Sequence, residues 1–367
     1  MTFDFNRTRH LFFLVSFFIL FSCASKEKKN FSEAQWKAQV EKTEAEKLYA
    51  PNFKGGRFYA PWLSVQDKNF FDLAKWKLFD RSSYTETEKD FLPEVLPDTA
   101  GRLLKEKGDY ILWIGHNTFL VRIKDRYFLT DPIFSQRALL PKRLTPPAMS
   151  LDQFNATIKE NLTIIISHNH YDHLDRPTMN ALPASARVFV PKGLKHLVQK
   201  MNKKDTVEMN WWQIHDLGNG FQLVCLPAQH WSMRISQGRN KSLWASWLLI
   251  TPETTLYFGG DTGYFKGFRE IGKQYPNIDY AFMATTAYHP RWFMHYHHIN
   301  VPEAVQGFNE LGARFFIPTQ WGTFRLGSEP AGYPGLDLKR YIEKNNLDAE
   351  RFHIMDIGEI LTIPGRS

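Results

Sequence analysis

Thr163-Ile164-Ile165-Ile166-Ser167-His168-Asn169-His170-Tyr171-Asp172-His173-Leu174-Asp175 is the stretch that decides how the rest of the chain is read. Its β-branched, apolar first part predicts a buried strand, and that strand runs straight into histidines and carboxylates. Alternate side chains of an extended segment point the same way. His168 and His170 can therefore close on one metal ion while Asp172 and His173 turn toward a second. A lone histidine here would read as part of a solvated polar loop. Instead His168, His170, Asp172, His173 and Asp175 all follow one buried run, and a metal cradle is the better account. Two adjacent ions suit a hydrolase.

The same grammar recurs downstream. The apolar run Phe221 to Leu226 ends in Pro227-Ala228-Gln229-His230, and Thr255 to Phe258 ends in Gly259-Gly260-Asp261. Tyr280 to Met283 leads to Ala284-Thr285-Thr286-Ala287-Tyr288-His289, and Phe315 to Ile317 leads to Pro318-Thr319-Gln320-Trp321-Gly322. Each run delivers a polar residue at its carboxyl end, the edge of a layered sheet where ligands sit. Upstream, Tyr110 to Ile123 and Tyr127 to Thr130 flank a polar turn at Lys124-Asp125-Arg126 and read as paired strands. His116 interrupts that pattern beside Gly115. It reads either as a residue that supports the site from behind its ligands or as a structural histidine. Helical candidates at Pro191 to Met201, Val301 to Leu311 and Leu336 to Asn345 alternate with the runs, which predicts an α/β layered domain without an internal repeat.

A chain of 367 residues with 43% hydrophobic content can bury a large core, which excludes a mostly disordered protein. Phe 30, Tyr 14 and Trp 11 supply aromatic surface for a dense interior or for contact with lipid. The formal charge of +8 favours anionic partners such as phosphate esters or a negative membrane face. No nucleic-acid recognition motif accompanies it, so nucleic acid is not an expected partner. At the N-terminus Arg7, Arg9 and His10 precede the apolar run Leu11 to Phe21, which falls short of the roughly 20 residues that span a bilayer. Residues 1–22 have the layout of an export signal. Leu20-Phe21-Ser22-Cys23 resembles a bacterial lipoprotein signal, which implies a lipid anchor on Cys23 and a place in the cell envelope, with ordinary secretion or an uncleaved anchor as the alternatives. Residues 23–54 read as a charged tether with a short helix near Ala34 to Leu48, and residues 55–367 as the main domain. That domain opens with Gly56-Arg57-Phe58-Tyr59-Ala60-Pro61-Trp62 and the amphipathic Phe70 to Phe79, an arm that packs on the domain or faces lipid. Cys225, inside Leu223-Val224-Cys225-Leu226, reads as a small buried hydrophobe, and no internal disulfide is expected.

His168-x-His170-x-Asp172-His173, followed at wide spacing by His230 and Gly260-Asp261, resembles the metallo-β-lactamase superfamily. The resemblance implies an αββα four-layer sandwich with a dinuclear metal site at one edge. Within the superfamily the chain is similar to the N-acylphosphatidylethanolamine-hydrolysing phospholipase D group. That likeness rests on Gly56-Arg57-Phe58 with Pro61-Trp62, Trp113-x-Gly115-His116, Leu129-Thr130-Asp131-Pro132-Ile133-Phe134-Ser135, Ser167 to Asp175, Pro227-Ala228-Gln229-His230-Trp231, Gly260-Asp261-Thr262-Gly263-Tyr264 and Pro290-Arg291-Trp292-Phe293-Met294. It implies that His168, His170 and His230 bind the first ion, Asp172 and His173 the second, and that Asp261 bridges them. The family's last ligand is a histidine in a His-Trp-Gly-Thr-Phe segment, which here reads Gln320-Trp321-Gly322-Thr323-Phe324. A carboxamide donates far more weakly to zinc than imidazole, so Gln320 leaves the second zinc short of a strong partner, and one or two ions are open. His289, His295, His297 and His298 form a rich cluster nearby. It is read first as substrate-facing or surface residues and second as a source of a replacement ligand. His298 stands where the family also keeps a histidine and is a candidate catalytic residue.

In a dinuclear site the ionised Asp172 orients the attacking water and passes its proton to the leaving alkoxide. The resemblance therefore implies a phosphodiesterase of phospholipase D type acting on N-acylphosphatidylethanolamine-like lipids. The anchor, the aromatic arm and the basic charge would hold it against a membrane surface. Two other readings compete with it. One keeps the metal chemistry and changes the bond to an ester, lactone or amide, since this fold supports many reactions. The other is a lipoprotein that keeps the fold to bind a ligand without turnover, as Gln320 would allow.

Overall fold

The computed structural model describes residues 31–65, 68–80 and 82–364, so the export signal and Cys23 lie outside the described residues. The described chain falls into two units, one ending at Glu41 and one beginning at Lys42. The first holds the helix Glu33–Glu41. The single helix expected over Ala34 to Leu48 is thus replaced by this helix and a separate 3-10 turn, Ala45–Tyr49, in the second unit. Residues 42–54, expected to lie in the tether, are packed chain. Leu48 is buried, Tyr49 stacks on Trp212 at 4.6 Å, and Trp212 Nε1 donates to the Leu48 carbonyl. The apolar residues responsible are spaced too irregularly among charges to register as a periodic pattern. A short ribbon follows, β1 (Phe53–Lys54) and β2 (Arg57–Phe58), closed by Gly55-Gly56.

The core is two mixed sheets. The first contains β3 (Tyr110–Gly115), β4 (Thr118–Ile123), β5 (Arg126–Thr130), β6 (Leu162–Ile165), β7 (Arg187–Pro191) and β8 (Thr206–Met209). The second contains β9 (Ile214–Gly218), β10 (Phe221–Leu226), β11 (Ser246–Ile250), β12 (Thr255–Phe258), β13 (Tyr280–Ala284) and β14 (Phe315–Thr319). The C-terminal β15 (Ile360–Thr362) returns to the first sheet and pairs antiparallel with β3. Strand order is β15-β3-β4-β5-β6-β7-β8 in one sheet and β14-β13-β12-β11-β10-β9 in the other. From β5 to β8 and from β12 to β14 the pairing is parallel, and elsewhere within these sheets it is antiparallel. The run read as one strand over Tyr110 to Ile123 is itself a hairpin, turned at His116-Asn117 with Gly115 opposite Thr118.

The sheets stack face to face. Phe119 of β4 meets Phe282 of β13 at 4.8 Å, and Phe128 of β5 stacks on Phe221 of β10 at 6.2 Å. Strand alternation sends the other set of side chains outward. Leu112, Ile114, Leu120, Leu129, Ile164 and Val188 form a cluster with Leu103, Phe154, Met179 and Val198 from covering helices. Over the second sheet, Phe308 of the helix Val301–Leu311 meets Phe316 of β14 at 5.4 Å. Helices outside two packed sheets make the expected αββα sandwich. The candidate helix Pro191 to Met201 shrinks to Lys195–Gln199, because Pro191 closes β7 opposite Met209. Cys225 is buried as expected, and burial pushes its thiol pKa up, which keeps it protonated and inert. Among the described residues no helix is long and apolar enough to cross a membrane.

Phe282 fills the space between the sheets, stacked on Phe258 at 4.5 Å as well as against Phe119. Phe282→Ala is expected to cost about 3–5 kcal/mol of unfolding free energy, the range for a buried aromatic truncated in a packed core. Denaturant unfolding would read this as a lower midpoint at unchanged slope. A loss below about 1 kcal/mol would mean that the sheets repack freely there.

Candidate metal centre

Six chain segments deliver polar side chains to one edge of the sandwich. The β3–β4 turn brings His116, the end of β5 brings Asp131, and β6 runs into Ser167 to Asp175. The segments after β10, β12 and β14 bring His230, Asp261 and Gln320. At this edge Gly260 has φ +58°, and a Cβ there would lie 2.7 Å from Ser167 Cβ. Only glycine lets the end of β12 approach β6 closely enough to aim Asp261 at the histidines.

Ligand atoms of His168, His170, His230 and Asp261 converge as one group, and those of His116, Asp172 and His173 as another. In the first, His168 Nε2 lies 2.8 Å and His230 Nε2 3.3 Å from His170 Nδ1. Asp261 Oδ2 is 3.7 Å from His168 Nε2 and 3.3 Å from His230 Nε2. Ligands on a tetrahedral zinc lie about 3.3 Å apart, so these spacings match a single ion. In the second group, Asp172 Oδ2 is 3.1 Å from His116 Nε2 and 3.3 Å from His173 Nε2. The other oxygen of Asp261, Oδ1, is 3.3 Å from His173 Nε2. Asp261 thus faces both groups, one oxygen to each.

Hydrogen bonds fix which nitrogen of each ring is free. His230 Nδ1 donates to the His297 carbonyl at 3.0 Å, leaving the Nε2 lone pair turned inward. Ser167 Oγ gives its proton to Asp131 Oδ2 at 2.6 Å, so it accepts from His168 Nδ1 at 2.9 Å. His173 Nδ1 donates to Asp131 Oδ2 at 2.7 Å. The carboxylate–imidazole pairing holds the ring and raises the basicity of Nε2, as behind many metal-binding histidines. The inward nitrogens of His168, His170 and His230 face one another, a crowding of lone pairs that a cation relieves, and buried His173 Nε2 has no hydrogen-bond partner among the described residues. The donor set fits one or two divalent ions.

Burial depresses the His168 and His230 imidazoles well below their usual range, and His170 to about 4, so all three are uncharged near neutrality. Burial would also lower His173, but Asp261, Asp172 and Asp131 override it and hold its pKa well above the usual range. Burial alone would raise the Asp172 and Asp261 carboxyls, yet His173 and neighbouring imidazoles keep both ionised, well below the ordinary carboxylate range.

The residues 126–321 match the Beta-lactamase superfamily domain. The chain belongs to the metallo-β-lactamase superfamily. It is 34% identical over 296 residues to N-acyl-phosphatidylethanolamine-hydrolyzing phospholipase D 1 of Caenorhabditis elegans, covering 75% of this chain and 82% of that relative. It is 26% identical over 261 residues to the UPF0173 metal-dependent hydrolase PAE2160 of Pyrobaculum aerophilum, covering 69% and 99%. The metallo hydrolase Igni18 of Ignicoccus hospitalis superposes with a TM-score of 0.55 at 17% identity, over 71% of this chain and 100% of that one, a likeness of fold. Family and ligand clusters together make the chain a metal-dependent hydrolase of this superfamily.

Of the residues anticipated from sequence, His168, His170, His230, Asp261, Asp172 and His173 meet as described. Gln320 also reaches the centre, but through its amide Nε2, which donates to Asp261 Oδ1, while its buried Oε1 has no partner among the described residues. Of the histidine cluster, His298 stands with its ring 5.3 Å from that of His230 and close enough to Asp261 and Asp172 to feel their charge. Burial nonetheless keeps its pKa below the usual value. His297 supports His230 with its carbonyl. His289 is engaged by the Tyr84 hydroxyl at 2.7 Å and His295 Nδ1 by the Arg291 carbonyl at 2.8 Å, and both stand outside the two ligand groups. Read from sequence, Asp131 has no assigned task and His116 is not among the ligands. Both end strand runs in the same way as the recognised ligands, and that position was the available signal.

A raised His173 and depressed His168, His170 and His230 predict that ions bound at the two groups would leave at different pH. A proton competes with the second ion at His173, so its affinity falls by about tenfold per pH unit below the folded pKa of that ring. The first site has no such competitor until about pH 4, the value for His170. Equilibrium dialysis from pH 8 to pH 5 followed by metal analysis should lose the second equivalent first. Simultaneous loss of both would contradict this ordering.

Proposed function

We propose that the chain is a zinc-dependent phosphodiesterase of phospholipase D type that cleaves N-acylphosphatidylethanolamine-like phospholipids at a membrane surface in the cell envelope. The observation that carries the proposal is the pair of ligand groups sharing Asp261, set in a chain 34% identical to a relative named for that reaction. Bound ions would supply Lewis acidity and lower the pKa of the attacking water. Asp172, ionised and partly open to solvent, accepts a hydrogen bond from that water and carries its proton toward the departing alkoxide. The uncharged His298 beside it contributes a ring nitrogen for the substrate's polar head.

Exposed apolar side chains around the centre support a lipid substrate. Ile235, on the segment after His230, is 79% exposed, and its N–H bonds the Tyr171 hydroxyl. Leu140 is 78% exposed, on a loop whose Leu144 N–H bonds the Thr323 carbonyl just beyond Gln320. The helix Phe70–Phe79 buries Trp76, whose Nε1 donates to Ser328 Oγ and whose ring meets Phe293 at 4.9 Å. It leaves Phe70, Phe71, Leu78 and Phe79 exposed among Lys75 and Lys77. Apolar residues interleaved with lysines on one short helix suit the interface of an anionic bilayer. A lipid anchor at Cys23 would add the second attachment that durable membrane binding needs.

Purified protein should bind near two zinc equivalents and release phosphatidic acid from N-acylphosphatidylethanolamine vesicles. Asp172→Asn should lower that turnover by about 100-fold or more. Metal binding without phosphodiester cleavage, alongside hydrolysis of an ester, lactone or amide, would move the assignment to the other bond. In the same vesicles Phe70→Ser and Phe71→Ser should each weaken sedimentation with lipid by about tenfold, the effect of removing one buried aromatic from the interface. Unchanged sedimentation would detach that helix from membrane binding.

A further inference from the structure

We infer that His116 is a ligand of the second metal ion and takes the place that Gln320 cannot fill. The inference rests on the two-ion reading of the centre. An amide nitrogen has no lone pair to offer a metal, so a glutamine can ligate only through oxygen. Gln320 presents its Nε2 to Asp261 Oδ1, an orientation favoured because the carboxylate accepts and cannot donate. That leaves His173, Asp172 and Asp261 Oδ1 as the second donor set without an imidazole from β14. His116 supplies one. Its Nε2 stands 3.1 Å from Asp172 Oδ2, its ring meets His173 edge-on at 5.5 Å, and its side chain is fully buried. Together the four donors are two nitrogens and two oxygens, a set and a number that suit a tetrahedral zinc.

The backbone at His116 is held in place from several sides. The residue has φ 55°, in the left-handed region that non-glycine residues rarely adopt, and three bonds secure it there. Its N–H donates to Thr323 Oγ1 at 2.9 Å, and its carbonyl accepts from Trp113 Nε1 at 2.9 Å and from the Gln320 N–H at 3.0 Å. Phe324 closes on the ring from behind, edge-to-face at 5.1 Å. A strained turn fixed this firmly beside a metal centre marks a position where side-chain direction matters. The backbone link from Gln320 to His116 also ties together the two positions between which the ligand role has shifted.

A simpler role for His116 is a hydrogen bond that orients Asp172, and glutamine could make that bond. The test uses His116→Gln and His116→Asn, the latter because asparagine tolerates the left-handed backbone. Zinc binding by each variant is titrated calorimetrically, with retention of the first equivalent at wild-type affinity as the check of folding. Both substitutions should weaken the second equivalent by more than about 100-fold, beyond the 10- to 100-fold typical of a residue that only orients a ligand. Adding Gln320→His to His116→Gln should restore it. A second equivalent within about 100-fold of wild type in either variant overturns the assignment. An independent reading on the unaltered protein is the nitrogen-15 spectrum of its histidines after loading with cadmium-113. A one-bond coupling at His116 Nε2 that appears with the second equivalent supports the assignment, and its absence overturns it. A chain that binds two ions in this way and cleaves no phosphodiester leaves the ligand assignment standing while the proposed substrate falls. A chain that binds one ion only overturns the assignment whatever it hydrolyses.

Discussion

Asp131 is the constraint on which the metal centre depends. Its carboxylate is buried and accepts from Asn117 Nδ2 at 2.6 Å, Ser167 N at 2.7 Å, Ser167 Oγ at 2.6 Å and His173 Nδ1 at 2.7 Å. A buried charge is tolerable only when donors surround it, and here they do. The same bonds set the tautomers on both sides of the centre, directly at His173 and through the Ser167 hydroxyl at His168. One carboxylate behind the two groups therefore decides which nitrogens turn toward the centre. Losing it would leave the Ser167 N–H and hydroxyl proton without their acceptor, two undirected rings and a loosened junction between β5 and β6.

The sandwich makes that arrangement rigid enough to matter. His116, Asp131 and Gln320 all have positive φ, at 55°, 34° and 72°, and each sits just beyond a strand of one sheet or the other. Left-handed backbone at non-glycine residues costs of order 1 kcal/mol or more apiece and persists only where packing over-determines it. The stacked aromatic layer between the sheets does this. Trp113 stacks on Trp321 at 5.4 Å, which pins the turn carrying His116 to the turn carrying Gln320. Strain at the edge is thus offset by burial just beneath it.

What the sequence disclosed follows from how local each signal is. His168 to His173 could be read because the strand and its ligands are contiguous. The helix Val301–Leu311 could be read because its apolar positions recur on one face, where Val301, Ala304, Val305, Phe308 and Leu311 are buried. The hairpin at His116-Asn117 was hidden by apolar runs on both sides and by a turn without glycine or proline at its tip. Asp131 was hidden because its partners lie 36 and 42 residues away, a separation no periodicity encodes. Pro191 misled as a helix start because proline suits that place equally well, and only the pairing of β7 with β8 settles it.

The effect of Gln320 is wider than a missing ligand. A histidine there would add a donor to the second ion alone. The glutamine instead donates a hydrogen bond to Asp261 Oδ1, the oxygen that faces His173, while Oδ2 of the same carboxylate faces His168 and His230. That bond draws electron density from the shared carboxylate and competes with the second ion for Oδ1, so the two positions are coupled through Asp261. The first site, with three uncharged imidazoles of its own, tolerates the competition. On the assignment proposed for His116, the second draws its strength from Asp172, His173 and the histidine held in the left-handed turn.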